Sequence, residues 1–160
     1  MISLEDIYES ELPIGWVKAF GEDLVREINA ADPEVEIVQA KEKYGSLRLY
    51  YHPSSDAVDE IISKYEALSG HICFHCGKPD VPRTTSGWIE PICRDCYKKI
   101  DCTIPYEEAT SSSNRMPDSY TTTRYTLSGE KIVRKYDISA DAARIRARWE
   151  ETYGNGSKRG

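Results

Sequence analysis

Residues 73–96 read Cys73-Phe-His-Cys76-Gly-Lys-Pro-Asp-Val-Pro-Arg-Thr-Thr-Ser-Gly-Trp-Ile-Glu-Pro-Ile-Cys93-Arg-Asp-Cys96. Two C-x-x-C pairs with 16 residues between them have the spacing of a four-cysteine zinc site. Two intervening residues let a tight turn aim both sulfurs at one point, about 2.3 Å from a metal. Gly77 can follow with the positive φ that such a knuckle needs, and Pro79 stops the turn from winding into a helix. Cys73, Cys76, Cys93 and Cys96 therefore read as the ligands of one structural Zn2+. Tyr97-Lys-Lys-Ile after the second pair can begin a short helix, which leaves a zinc ribbon and a treble-clef-like finger both open. Redox pairs are the competing reading, but no βαβ pattern of the thioredoxin kind surrounds them. An iron or iron–sulfur site is a further alternative. Cys102 falls outside the spacing and reads as a small buried hydrophobe. His71 and His75 flank the first pair without being needed in a shell that four thiolates complete.

Working outward toward the N-terminus, Ser3 can cap a short helix, with Glu5 and Asp6 at its positive end. From Ile14 to Ala30, Trp16, Val17, Phe20, Leu24, Val25 and Ile28 recur at three- and four-residue steps, the apolar stripe of an amphipathic helix. Val35-Glu-Ile-Val-Gln and Ser46-Leu-Arg-Leu-Tyr-Tyr read as strands, and Lys41-Glu-Lys-Tyr-Gly45 as the hairpin connection. A helix over 56–69 buries Val58, Ile61, Ile62, Tyr65 and Leu68. The expected fold is α+β: a helix-helix-hairpin-helix unit over 1–70, followed by the four-cysteine segment over 71–104. Residues 105–119 have the composition of a linker. A hairpin turning at Ser128-Gly129 and a helix capped by Ser139 then make a module over 120–154, and 155–160 should be a disordered tail.

Charge is unevenly spread. Residues 1–70 carry 6 Lys/Arg and 15 Asp/Glu, a net of −9, whereas residues 110–160 carry 10 and 6, a net of +4. An acidic head and a basic tail point to oppositely charged partners or to contact between the two ends. On the helix over 14–30, Glu22, Asp23 and Glu27 fall off the Trp16–Phe20–Leu24 stripe and are candidate partner-binding acids. Arg144, Arg146 and Arg148 are the basic counterparts. Their i, i+2 spacing sets neighbours about 200° apart on a helix, so the three cannot share one groove.

Acidic Met1-Ile-Ser-Leu-Glu-Asp lacks the order of a signal peptide, and no apolar run approaches the ~18–20 residues that span a bilayer. Five cysteines without a secretory signal favour a reducing, cytoplasmic setting and a metal over disulfides. No HExxH, Gly-rich phosphate loop or G-x-S-x-G occurs. A catalytic zinc would also keep an open coordination position. The chain is therefore expected to bind rather than catalyse.

Gly15-Trp16, Val38-Gln-Ala-Lys-Glu-Lys-Tyr-Gly-Ser-Leu-Arg-Leu-Tyr-Tyr51, Cys73-x-x-Cys76-Gly and Gly87-Trp88…Cys93-x-x-Cys96 together resemble a pattern met in small zinc-binding proteins of bacteriophage and prophage genomes: GW … VKEKFG-LRFYY … CExCG … GW … CxxC. Tyr44 and Leu49 stand where that pattern more often has Phe. The resemblance covers residues 15–97 and implies a zinc site, a phage origin and action in the bacterial host cytoplasm, with no particular substrate. The resulting expectation is an accessory protein that binds and modulates a host protein, such as a defence nuclease or a polymerase. The alternative is a zinc-containing regulator that contacts DNA or RNA through residues 120–154.

Overall fold

The computed structural model describes residues 1–84, 89–100, 106 and 114–154. The chain is mixed α/β, with three small antiparallel hairpins and the four cysteines gathered between helices. Helix α1 (Leu4–Tyr8) starts in a capping box, Ser3 accepting from the Asp6 N–H and Asp6 from the Ser3 N–H. Helix α2 (Ile14–Trp16) runs through a π turn (Val17–Gly21) into α3 (Glu22–Ala31) as one rod. That rod buries Trp16, Phe20, Leu24 and Ile28, the residues whose period defines its apolar face.

Strands β1 (Glu36–Lys43) and β2 (Ser46–His52) pair through Lys43↔Ser46, so only Tyr44 and Gly45 form the turn. β1 therefore extends through Lys41, Glu42 and Lys43, which were expected in the connection. Both turn residues have positive φ, 52° and 82°, the geometry that lets a two-residue loop follow the strands' right-handed twist. A bulge between Ile37 and Gln39 turns Val38 out to solvent. Helix α4 (Asp56–Ser69), capped by Ser55, lays Val58, Ile62, Tyr65 and Leu68 over Leu47 and Leu49.

Further along come β3 (Arg83–Thr84), β4 (Glu90–Pro91) and helix α5 (Arg94–Lys99). The second hairpin is β5 (Ser119–Tyr125) with β6 (Lys131–Asp137), followed by α6 (Ser139–Trp149) and a π turn (Glu150–Gly154). Ser139 is the first residue of α6 and not its cap: Ile138 holds the cap position without a side-chain bond, and Asp137 Oδ1 accepts from both the N–H and the hydroxyl of Ser139.

Residues 120–154 do not stand apart. Ile138, Ala142 and Ile145 share one buried cluster with the rod and α4. Met116, inside the segment expected to be a linker, is 1% exposed in the same cluster. Its backbone N–H donates to Asp80 at 2.6 Å, which anchors the chain at that residue, while 105 and 107–113 of the expected linker lie outside the described residues. No described helix is long and apolar enough to cross a membrane. Cys102, Trp88 and the expected tail over 155–160 lie outside the described residues.

Candidate metal centre

The four sulfurs converge from two local structures. Cys73 and Cys76 sit in a turn closed by the Gly77 N–H donating to the Cys73 carbonyl, 3.1 Å, with Gly77 at φ +82°. Cys93 is the N-cap of α5, which places Cys96 in the first turn of that helix. The Sγ of Cys93 lies 3.9 Å from that of Cys73 and 3.7 Å from that of Cys76. All four Sγ atoms fall within 4.8 Å of one another, and all four cysteines are free. A tetrahedron with metal–sulfur bonds of about 2.3 Å has sulfur–sulfur edges of about 3.8 Å, whereas a disulfide needs about 2.0 Å. The spacing therefore fits one metal ion held by four thiolates.

The surrounding backbone is arranged for negative sulfur. The Cys93 N–H points at Cys73 Sγ and the Cys96 N–H at Cys93 Sγ, each at 3.4 Å. Cys73 is pulled down to about 4, first by the adjacent Cys76 thiol and then by backbone N–H groups, against its burial. Cys76 moves up, first because it donates to Cys73 and then through burial. Burial and its Cys93 neighbour push Cys96 up to about 12. Four thiolates this close cannot all ionise without a cation among them, and the donor set is that of a closed structural site.

The centre is clamped onto the N-terminal unit by the Gly15-Trp16 pair. The Gly15 N–H donates to the Phe74 carbonyl at 2.7 Å. A Cβ on Gly15 would lie 2.0 Å from the Cys73 carbonyl oxygen, so only glycine allows this approach. The Trp16 indole N–H donates to the Ile72 carbonyl at 3.0 Å, and its ring meets Phe74 edge-on at 5.0 Å. On the other flank, Gly45 of the β1–β2 turn sits against Ile89 and Pro91. Cys76, half-buried, borders a cavity of about 180 Å³ walled by Ala19, Gly77, Ile145 and the paired rings of Trp149 and Tyr153.

The charged residues singled out in the sequence are placed quite differently. Asp23, expected on an open face, is 1% exposed. Arg148 donates to both its oxygens, at 2.8 and 3.1 Å, and Arg144 donates to one at 3.2 Å. Burial alone would raise its carboxyl, but the two guanidiniums hold it below the ordinary carboxylate range. Glu27 is half-buried and takes the Lys64 ammonium at 2.6 Å and the Tyr65 hydroxyl. Of the three acids on α3, Glu22 alone remains exposed.

Arg144 and Arg148, one turn apart, reach the same carboxylate, and Arg146 turns to Asp80 at 2.6 and 3.0 Å. These arginines dock α6 on the protein's own acids. Sequence periodicity could not reveal this, because the element that covers Asp23 lies more than a hundred residues downstream. The signal present in the sequence was the acidic head and basic tail, which meet here. No protein-family model matches the chain, and no curated protein or solved structure matches it.

Proposed function

We propose that this chain is a zinc-stapled accessory protein of a bacteriophage that acts in the host cytoplasm by binding a host protein, without catalysis. The observation that carries the reading is the convergence of four buried or half-buried sulfurs at tetrahedral spacing. Four thiolates complete the preferred zinc shell and leave no position for a substrate or an activated water. The first pair in a turn, a short hairpin, and the second pair in the first turn of a helix favour a treble-clef-like arrangement over a ribbon. Phage origin rests on the GW … KEKYG-LRLYY … CxxCG … CxxC resemblance, in which Gly15 meets the first cysteine turn and Gly45 meets Ile89 and Pro91.

The contact surface we assign is the acidic pole around α1. Glu5, Glu9, Glu11, Glu22, Glu34 and Glu36 are all exposed there, and Asp6, Glu34 and Glu36 border one cleft beside Ile2. This replaces Asp23 and Glu27, which are spent inside the fold. A surface of that sign suits a basic groove such as a nuclease or polymerase presents to nucleic acid. The test is capture of a defined host protein from nuclease-treated bacterial lysate by the tagged, zinc-loaded chain. A Glu5/Glu9/Glu22/Glu34/Glu36→Lys variant should lose that partner while keeping its zinc content and melting temperature, because exposed charges contribute about 0–1 kcal/mol each. Unchanged capture by the variant would remove the acidic pole from the account.

A further inference from the structure

The segment from Val38 to Tyr50 does more than the fold requires. The β1–β2 hairpin buries Ala40, Leu47 and Leu49 on its inner side and turns its other face to water. Three features of that outer face are unusual for a hairpin. Tyr44 holds φ 52°, a region where a bulky residue is strained and where Asn or Gly is the usual choice. Its ring is 69% exposed and meets the Lys43 ammonium 5.7 Å from its centroid. Lys41 and Arg48 are direct cross-strand partners, a like-charge pair that pushes the strands apart. Arg48 is taken up by Glu66, whereas Lys41 and Lys43 have no ion-pair partner among the described residues. Val38 and Tyr50 add exposed apolar surface at 63% and 50%. A strained, exposed ring beside two lysines and further exposed apolar side chains marks a surface open to a partner.

The chemistry of the face indicates what that is. In a unit of net charge −9 it carries Lys41, Lys43 and Arg48, and its acid is Glu36 at the far end, beside His52 at 3.4 Å. Cations interleaved with exposed rings suit a polyanion that also offers flat apolar faces. We propose that the outer face of β1–β2 binds single-stranded nucleic acid, with Tyr44 and Tyr50 stacking on bases and Lys41 and Lys43 meeting the phosphates between them. Rings lying on a sheet surface can stack only on bases that are not enclosed in a duplex. Lys41 and Lys43 lie two residues along one strand, about 7 Å apart, a step similar to that between successive phosphates of an extended single strand. The two tyrosines are about 14 Å apart along the ribbon, which leaves room for two or three nucleotides. This surface meets the acidic pole only at Glu36, and the proposal does not depend on that pole.

The test is fluorescence anisotropy of the zinc-loaded full chain with labelled oligothymidine and oligouridine, against a duplex of equal length, starting near about 50 mM salt. Saturable, salt-sensitive binding that prefers the single strands is expected. Tyr50→Ala should weaken it by about tenfold, within the range for loss of one stacked base. Tyr44→Gly should weaken it similarly while holding or raising the melting temperature, because glycine accepts the positive φ. A tyrosine with a purely structural role would give the opposite pairing, a changed melting temperature and unchanged binding. Lys41→Ala/Lys43→Ala should flatten the plot of log affinity against log salt by about 1.4. No saturable binding at low salt, equal binding of duplex, or binding that survives all three variants would overturn the proposal. The last result would move the contact to Lys131, Arg134 and Lys135 of the β5–β6 hairpin.

Discussion

Two parts of the chain are fastened to the same N-terminal α+β unit by opposite physics. The cysteine segment brings few apolar residues: its buried cluster is Cys73, Val81, Ile92, Cys93 and Cys96. It is held by sulfur, by Gly15 and by the Trp16 indole. Helix α6 and Ile138 before it bring Ile138, Ala142 and Ile145 to the main core; Arg144 and Arg148 close over it on Asp23, and Arg146 reaches across to Asp80 of the cysteine segment. With the proposed zinc in place, the first attachment would depend on a ligand the chain does not encode and would be switched by metal supply. The second depends on a buried carboxylate and is switched by mutation or acid. A small core of this kind gains from such staples because its own apolar burial is modest.

The largest expected effect separates the two attachments. Chelation, or Cys73→Ser, should unfold residues 71–100 while α6 stays docked, since structural zinc supplies about 10–16 kcal/mol of apparent binding free energy in small zinc modules. Amide hydrogen exchange checks this: protection should vanish at Val81 and Ile92 and persist at Leu24, Tyr65 and Ile145. Simultaneous loss at both sets of positions would mean one cooperative unit rather than two separately held parts.

Next in size is Asp23→Ala, which removes the carboxylate that Arg144 and Arg148 share and leaves them on Asp141 and the Ala19 carbonyl. Removing one partner of a buried pair costs about 3–5 kcal/mol. The two arginines keep 36% and 35% of their side-chain surface in water, so we expect about 2–3 kcal/mol. Denaturant unfolding should show this loss with zinc content unchanged. Trp16→Phe, smaller again, leaves the buried Ile72 carbonyl without its donor and should cost about 1–2 kcal/mol. It should also raise exchange rates in the first cysteine turn, where the α6 attachment would show no change.

The smallest effect is on pH dependence. Asp23 and Asp80 are both held below the ordinary value of 3.8 by arginine, against their burial. A depressed carboxylate contributes stability that is present above the unfolded value and lost as pH falls through the folded one. The stability gap between the parent protein and Asp23→Asn should therefore be flat from neutral pH to about 5 and close below about 4. A gap that closed near neutrality would assign the effect to some other group.

The same contrast sets what the sequence discloses. Cys73, Cys76, Cys93 and Cys96 are legible because each pair is local and the spacing is dictated by bond geometry. Helix α4 is legible from its apolar period and from Gly70 beyond its end. The extent of β1 was obscured by Lys41-Glu-Lys-Tyr, whose polarity resembles a loop although alternate residues face solvent on one strand. Asp23 looked like a surface acid because periodicity reports which face a residue occupies and cannot report what covers that face. The cover, Arg144 and Arg148, arrives from the far end of the chain. The clamp had a signal of its own: Gly15-Trp16 and the C-x-x-C-Gly turn occur together in the resemblance, and the structure joins them through the Gly15–Phe74 and Trp16–Ile72 hydrogen bonds.

The most direct test of the central claim is metal analysis combined with X-ray absorption at the zinc edge on protein purified without chelator. One zinc per chain, with a single shell of four sulfurs at about 2.3 Å and no nitrogen or oxygen ligand, is the predicted result. A metal-free protein with intact C-x-x-C disulfides, an iron–sulfur signature, or a shell containing a light-atom ligand would contradict it.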